Sequence, residues 1–148
     1  MSYTYNYPHP GVTTDCLVFR DIDTRLEILL IQRRKEPFKD SWALPGGFVG
    51  EDETLEECAI RELKEETGIV DVHLHQFRVY SEPGRDPRGR TISMAFYGIT
   101  AHPDTEVTRS GDDAYNASWF SLEKLPKLAF DHQQIIKEAI EFLFSNRF

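Results

Sequence analysis

Sixteen residues, Glu51 to Glu66, constrain this chain more than any other stretch. They hold eight acids (Glu51, Asp52, Glu53, Glu56, Glu57, Glu62, Glu65 and Glu66) and only two bases, Arg61 and Lys64. The segment therefore carries −6 of the formal net charge of −8. It also reads as a helix. Thr54 can cap the start while Glu57 reaches back to it, and Gly68 suits a left-handed stop. With Leu55 at zero on a helical wheel, Cys58 falls at about −60°, Ala59 at about +40° and Leu63 at about +80°. These residues mark the face that packs inward. Yet Glu62 at about −20°, Glu66 at about +20° and Glu65 at about −80° lie inside or beside that face.

Burying unpaired carboxylates costs several kcal/mol each, so these acids need neutralising. Lys64, at about 180°, points away, and Arg61, at about −120°, sits nearest Glu65 and is too little for three acids. A divalent cation meets the need, because carboxylates at i, i+3 and i+4 project from adjacent turns. Oxygen ligands without His or Cys favour Mg²⁺ or Mn²⁺ over zinc. The competing reading is a solvated helix with a narrow apolar stripe; Glu56 and Glu57 fit surface charge and capping in either case. Just upstream, Trp42-Ala43-Leu44-Pro45-Gly46-Gly47-Phe48 forms a turn whose paired glycines let backbone approach closely and aim a carbonyl at the same ion.

The rest of the chain supplies the frame. Its 148 residues suit one domain, residues 1 to 148, and 40% hydrophobic content with 12% aromatic can bury a core. The longest aliphatic run, Ile28 to Ile31, is too short to span a bilayer, and the start shows no signal peptide, so no membrane partner and a cytoplasmic location are expected. Cys16 and Cys58 read as small core residues. The acidic charge disfavours nucleic acid as a partner. Strands are expected over Gly11–Arg20, Leu26–Gln32 and Thr91–Ile99, with a short one at Ala117–Phe120 and others near Trp42 and from Val72 to Tyr80. A second helix should begin at Asp131 and present Ile135, Ile136, Ala139, Ile140 and Leu143 on one stripe. Strands mixed with two such helices predict an α/β sandwich.

Gly47, five residues, Glu53, seven residues, then Arg61-Glu62-Leu63-Lys64-Glu65-Glu66-Thr67-Gly68-Ile69 resembles the Nudix box at every defined position. The upstream Trp-x-x-Pro-Gly-Gly is similar to this family as well. The resemblance implies the Nudix fold, an α+β architecture in which an α/β/α sandwich holds a mixed β-sheet between helices. It implies hydrolysis of a nucleoside diphosphate linked to another group. Glu65 and Glu66 would be the main metal ligands, with Glu62 a further ligand or the base that deprotonates water. The Gly46 carbonyl would be another ligand. Glu53 and Arg61 would form a structural ion pair. Asp112 and Asp113, on a later loop, are the other choices for the base.

The substrate is written less sharply. Arg85, Arg88 and Arg90 fall within six residues on a Pro/Gly-rich loop, and arginine forks suit phosphates. A solvated loop of Arg–Asp pairs is the plainer reading. Pro83, fifteen residues beyond Gly68, resembles the downstream proline of Nudix ADP-ribose pyrophosphatases, and Arg85 to Tyr97 is similar to Nudix domains of NAD metabolism. Gly111 to Ala114, Trp119-Phe120 and Ala129 to His132 extend the resemblance. The expectation is a nucleotide hydrolase making AMP and ribose 5-phosphate from ADP-ribose. Oxidised nucleoside triphosphates, NADH, dinucleoside polyphosphates or another nucleotide sugar are alternatives, as is a non-catalytic ADP-ribose sensor. Related regulators carry a winged-helix portion after the Nudix domain; the sequence ending at Phe148 and the acidic charge are expected to disfavour a stand-alone DNA-binding regulator, and the intact set of carboxylates favours catalysis over sensing. His132 reads as a first-turn helix residue. Tyr3, Tyr5 and Tyr7 could stack on adenine or pack in a homodimer, which the resemblance makes plausible.

Overall fold

The computed structural model describes residues 2–104, 107 and 116–145. Its elements, in chain order, are β1 (Gly11–Ile22), β2 (Arg25–Gln32), β3 (Trp42–Ala43), β4 (Gly46–Phe48), α1 (Leu55–Thr67), β5 (His75–Tyr80), β6 (Thr91–Ile99), β7 (Asn116–Ser121) and α2 (His132–Phe144). The strands form one mixed sheet. β1 runs parallel to β6 from Gly11 to Phe19 and antiparallel to β2 and to β4. β6 carries β5 on its other edge, while β2 carries β3 and β7.

Thr13 to Phe19 are buried without a break, the pattern of a strand covered on both faces. Alternate side chains serve different layers. Leu17, Phe19, Ile28 and Leu30 pack with Ile135, Ile136 and Ala139 of α2. Cys16, Val18, Leu29 and Phe96 pack with Ala59 and Leu63 of α1. The sheet thus lies between two helices, as the sequence predicts. Among the described residues no helix is long and apolar enough to cross a membrane.

The start of α1 follows its sequence signal. Thr54 Oγ1 accepts from the Glu57 amide at 3.1 Å, and the Glu57 carboxylate accepts from the Thr54 amide at 2.9 Å. Gly68 closes the helix at φ 80°. α2 also starts at the expected place. Asp131 occupies the cap position but makes no side-chain cap bond. Its carboxylate instead accepts two hydrogen bonds from Arg85, at 2.9 and 2.7 Å. A bidentate charge-assisted pair outcompetes a single cap bond. The strand expected from Val72 begins only at His75, because Val72 and Leu74 turn into the core beneath α1.

Candidate active site

The site starts at the turn between β3 and α1. Gly46 lies against β1 so closely that a Cβ would run into the Thr14 carbonyl. At Gly47 a Cβ would stand 2.6 Å from Glu62 Oε1. The two glycines therefore let the turn seat between β1 and the acidic face of α1. Glu66, 6% exposed, accepts the Gly46 amide at 2.8 Å. Glu62 is half-buried beside it. Burial pushes the Glu66 carboxyl well above its usual range, and the nearby Glu62 charge pushes the same way. Burial also raises Glu62, against hydrogen bonding from Arg61.

Arg61 does more than its wheel position predicts. It donates to Glu53 at 2.9 and 2.6 Å, to Glu62 at 2.9 Å and to Glu65 at 3.2 Å. Its long stem swings the guanidinium across three acids, where a wheel records only the direction of Cα–Cβ. Hydrogen bonds from Arg61, then from the Gly50 amide, lower the Glu53 carboxyl from 4.5 to about 2. The expected Glu53–Arg61 pair is thus present. Glu66 stands outside this arrangement, buried with only a backbone donor named above.

Among the described residues, no three His, Cys, Asp or Glu side chains are gathered as a metal-ready cluster. Arg61 is paired with two of the acids, Glu62 and Glu65. The residues nevertheless fit a hard divalent cation. All the candidate donors are oxygens, and the half-buried Glu62 and buried Glu66 repel each other in their charged forms, which a cation would relieve.

These groups open on a cavity of about 660 Å³. Gly46, Glu62, Glu66 and Asp15 form one wall. Arg33, Arg85, Arg88, Phe48 and Phe130 line the same cavity. The three sequence-marked arginines separate here. The Arg88 guanidinium lies 5.1 Å from the Phe48 ring and 5.3 Å from the Phe130 ring, and bonds Asp86 at 2.7 Å. Arg85 lines the cavity, but its side chain is 5% exposed and engaged by Asp131. Arg90 is not among the lining residues and donates to the Ser81 carbonyl at 2.7 Å. Glu65, whose side chain is 56% exposed, is joined to the wall through Arg61. Asp112 and Asp113 lie outside the described residues.

Sequence reading passed over Asp15 and underrated His132. Asp15 is an acid in the middle of a buried apolar strand, and that misplacement was the available signal. His132 is 4% exposed and accepts the Leu44 amide at 3.0 Å. Phe48 and Phe130 gave no signal, since aromatic residues in turns are unremarkable on their own.

Comparison with known proteins agrees with this geometry. The NUDIX domain family matches residues 9–140. An ADP-ribose pyrophosphatase of Methanocaldococcus jannaschii is 47% identical over 136 residues, which are 92% of this chain and 76% of that protein. The ADPR responsive transcriptional repressor NtrR of Acinetobacter baylyi is 36% identical over 90% of this chain, which spans 54% of the repressor. Among solved structures, the NUDIX domain of Shewanella oneidensis NrtR complexed with ADP ribose aligns with a TM-score of 0.86 and 31% identity, covering 93% of this chain and 90% of that one. With its box residues assembled on a loop and helix against a mixed sheet, and with a family match over most of its length, this chain belongs to the Nudix hydrolase family.

Proposed function

We propose that the chain, as a single domain over residues 1 to 148, is a Mg²⁺-dependent pyrophosphatase that splits ADP-ribose into AMP and ribose 5-phosphate. One observation carries the reading: carboxylates, arginines and aromatic rings line one cavity together. A nucleoside diphosphate sugar has matching parts, with a pyrophosphate between groups that stack or hydrogen-bond. The 47% identity to a protein named ADP-ribose pyrophosphatase supports the substrate class.

Nudix hydrolases use divalent metal ions. Glu62, Glu65, Glu66 and the Gly46 carbonyl would hold Mg²⁺ here, with Mn²⁺ as a substitute. Held there, the cation would supply charge withdrawal from phosphoryl oxygens and a more acidic water. The chain's own groups do the rest. Gly46 and Gly47 keep the turn against α1. Arg61 and Glu53 fix α1 relative to that turn. Glu62, with its carboxyl raised by burial, can take a proton from water, and Asp112 or Asp113 are the alternatives. Arg88 would meet phosphate or base, with Arg85 also lining the cavity and Arg90 held to the Ser81 carbonyl. The exposed Tyr3, Tyr5 and Tyr7 offer a surface for pairing in a cytoplasmic homodimer.

A second reading, an ADP-ribose sensor without turnover, is favoured by the similarity to a repressor and to a domain solved with ADP ribose. One panel separates the two. The protein is incubated with Mg²⁺ and, in turn, ADP-ribose, FAD, NADH, diadenosine polyphosphates and 8-oxo-dGTP, and products are followed. Fastest release of AMP from ADP-ribose is the expected result. Faster cleavage of another compound overturns the substrate assignment, and tight ADP-ribose binding without products establishes the sensor.

A further inference from the structure

Bordering the same cavity as Glu62 and Glu66 is a connected set of buried polar groups to which the hydrolytic reading has given no task. Asp15 on β1, Ser93 on β6 and His132 at the start of α2 are 7%, 0% and 4% exposed. Ser93 Oγ donates to Asp15 Oδ2 at 2.6 Å. His132 Nε2 stands 3.4 Å from Asp15 Oδ1. Arg85 Nη2 lies 4.0 Å from Asp15 Oδ2 and is locked to Asp131, the residue before His132.

The other ring nitrogen fixes the tautomer. A backbone amide can only donate, so His132 Nδ1 must offer a lone pair to Leu44 N–H at 3.0 Å. Burial lowers the His132 pKa, which keeps the ring neutral. The remaining proton is then on Nε2, the nitrogen that stands 3.4 Å from Asp15 Oδ1. Rotating the ring would break both contacts and leave buried polar atoms unpaired.

This geometry reaches the turn that carries Gly46. Three different elements grip that turn at consecutive residues. His132 of α2 takes the Leu44 amide, Cys16 of β1 donates to the Pro45 carbonyl at 2.7 Å, and Glu66 of α1 takes the Gly46 amide. A one-sided hold would let the turn pivot on the other two residues. We propose that His132 is a positioning residue: oriented by Asp15, it fixes the Leu44 amide and so sets the Gly46 carbonyl for the cation.

The inference rests on the cation-dependent reading, and its test separates the two. Three variants divide the histidine's contacts. His132→Asn keeps an oxygen near the Nδ1 position and so retains an acceptor for Leu44. His132→Gln reaches toward Asp15 and loses the Leu44 contact. His132→Phe loses both. Mn²⁺ affinity is measured by electron paramagnetic resonance on protein without nucleotide, and kcat and KM for ADP-ribose are measured alongside. Residues that orient a metal's ligands change affinity by about 10- to 100-fold. His132→Phe and His132→Gln should weaken Mn²⁺ binding by about 10-fold or more, and His132→Asn should recover most of it. In each weakened variant kcat should fall at subsaturating metal and recover as Mn²⁺ is raised. Equal affinity in the Asn and Gln variants overturns the inference, even if the Phe variant fails to fold. Wild-type protein that binds no Mn²⁺ overturns the cation reading and the inference with it; wild-type binding with unaltered variants overturns the inference alone.

Discussion

Single carboxylates in this protein differ because their neighbours differ. Glu53 and Glu66 belong to one sequence block, yet they move in opposite directions. Arg61 and the Gly50 amide hold the Glu53 carboxyl down to about 2, while burial and the Glu62 charge push Glu66 up. The first shift stabilises the fold in a definite pH window. A carboxylate depressed in the folded chain adds stability above its unfolded pKa and loses it as pH falls toward the folded value. From an ordinary value of 4.5 and a folded value of about 2, the contribution of Glu53 should be complete above about pH 5 and fade as pH falls from there. Thermal unfolding of wild type and Glu53→Gln should therefore show a gap in midpoint near neutrality that narrows between about pH 5 and pH 3. A gap of constant size across that range would remove Arg61 as the cause.

At the scale of elements, the loop from Ser81 to Arg90 and the start of α2 both contribute residues to the cavity lining. Arg88 is the loop residue set between two rings beside the opening, and Arg90 is turned to the loop's own backbone. Arg88→Ala should raise the KM for ADP-ribose by about 10-fold, the size of one lost charge-assisted bond. Arg90→Ala should change KM less, and kcat should hold in both. Steady-state kinetics showing the reverse order would place the phosphate contact on Arg90. This loop also shows where sequence reading ends. The α1 box was legible because its signals are local: a cap at Thr54, a stop at Gly68, acids three and four apart. The Arg85–Asp131 pair spans 46 positions and the Leu44–His132 contact spans 88. No spacing rule reaches that far. The helix start at Asp131 was legible locally, but the partner from another element that takes its carboxylate was not. Arg61 was underestimated for a related reason, since a wheel carries no side-chain length.

Across the whole molecule, the sheet is what lets the two helices cooperate. α1 packs on one face and α2 on the other, with β1 contributing alternate side chains to each. β1 also brings Asp15 beside Gly46 in the register of β1 and β4. The cavity therefore gathers groups from both helices around one strand, and the charge concentrated in α1 is given a site to act in. Glu66 tests this most directly. Glu66→Gln keeps an oxygen for the Gly46 amide but removes one charge from a buried, repelling pair. In the presence of a chelator the variant should be as stable as wild type or more so. With Mg²⁺ and ADP-ribose its turnover should fall by about 10³-fold, comparable with losing a principal electrostatic contact in other active sites. Near-normal turnover of a folded Glu66→Gln protein would contradict the account.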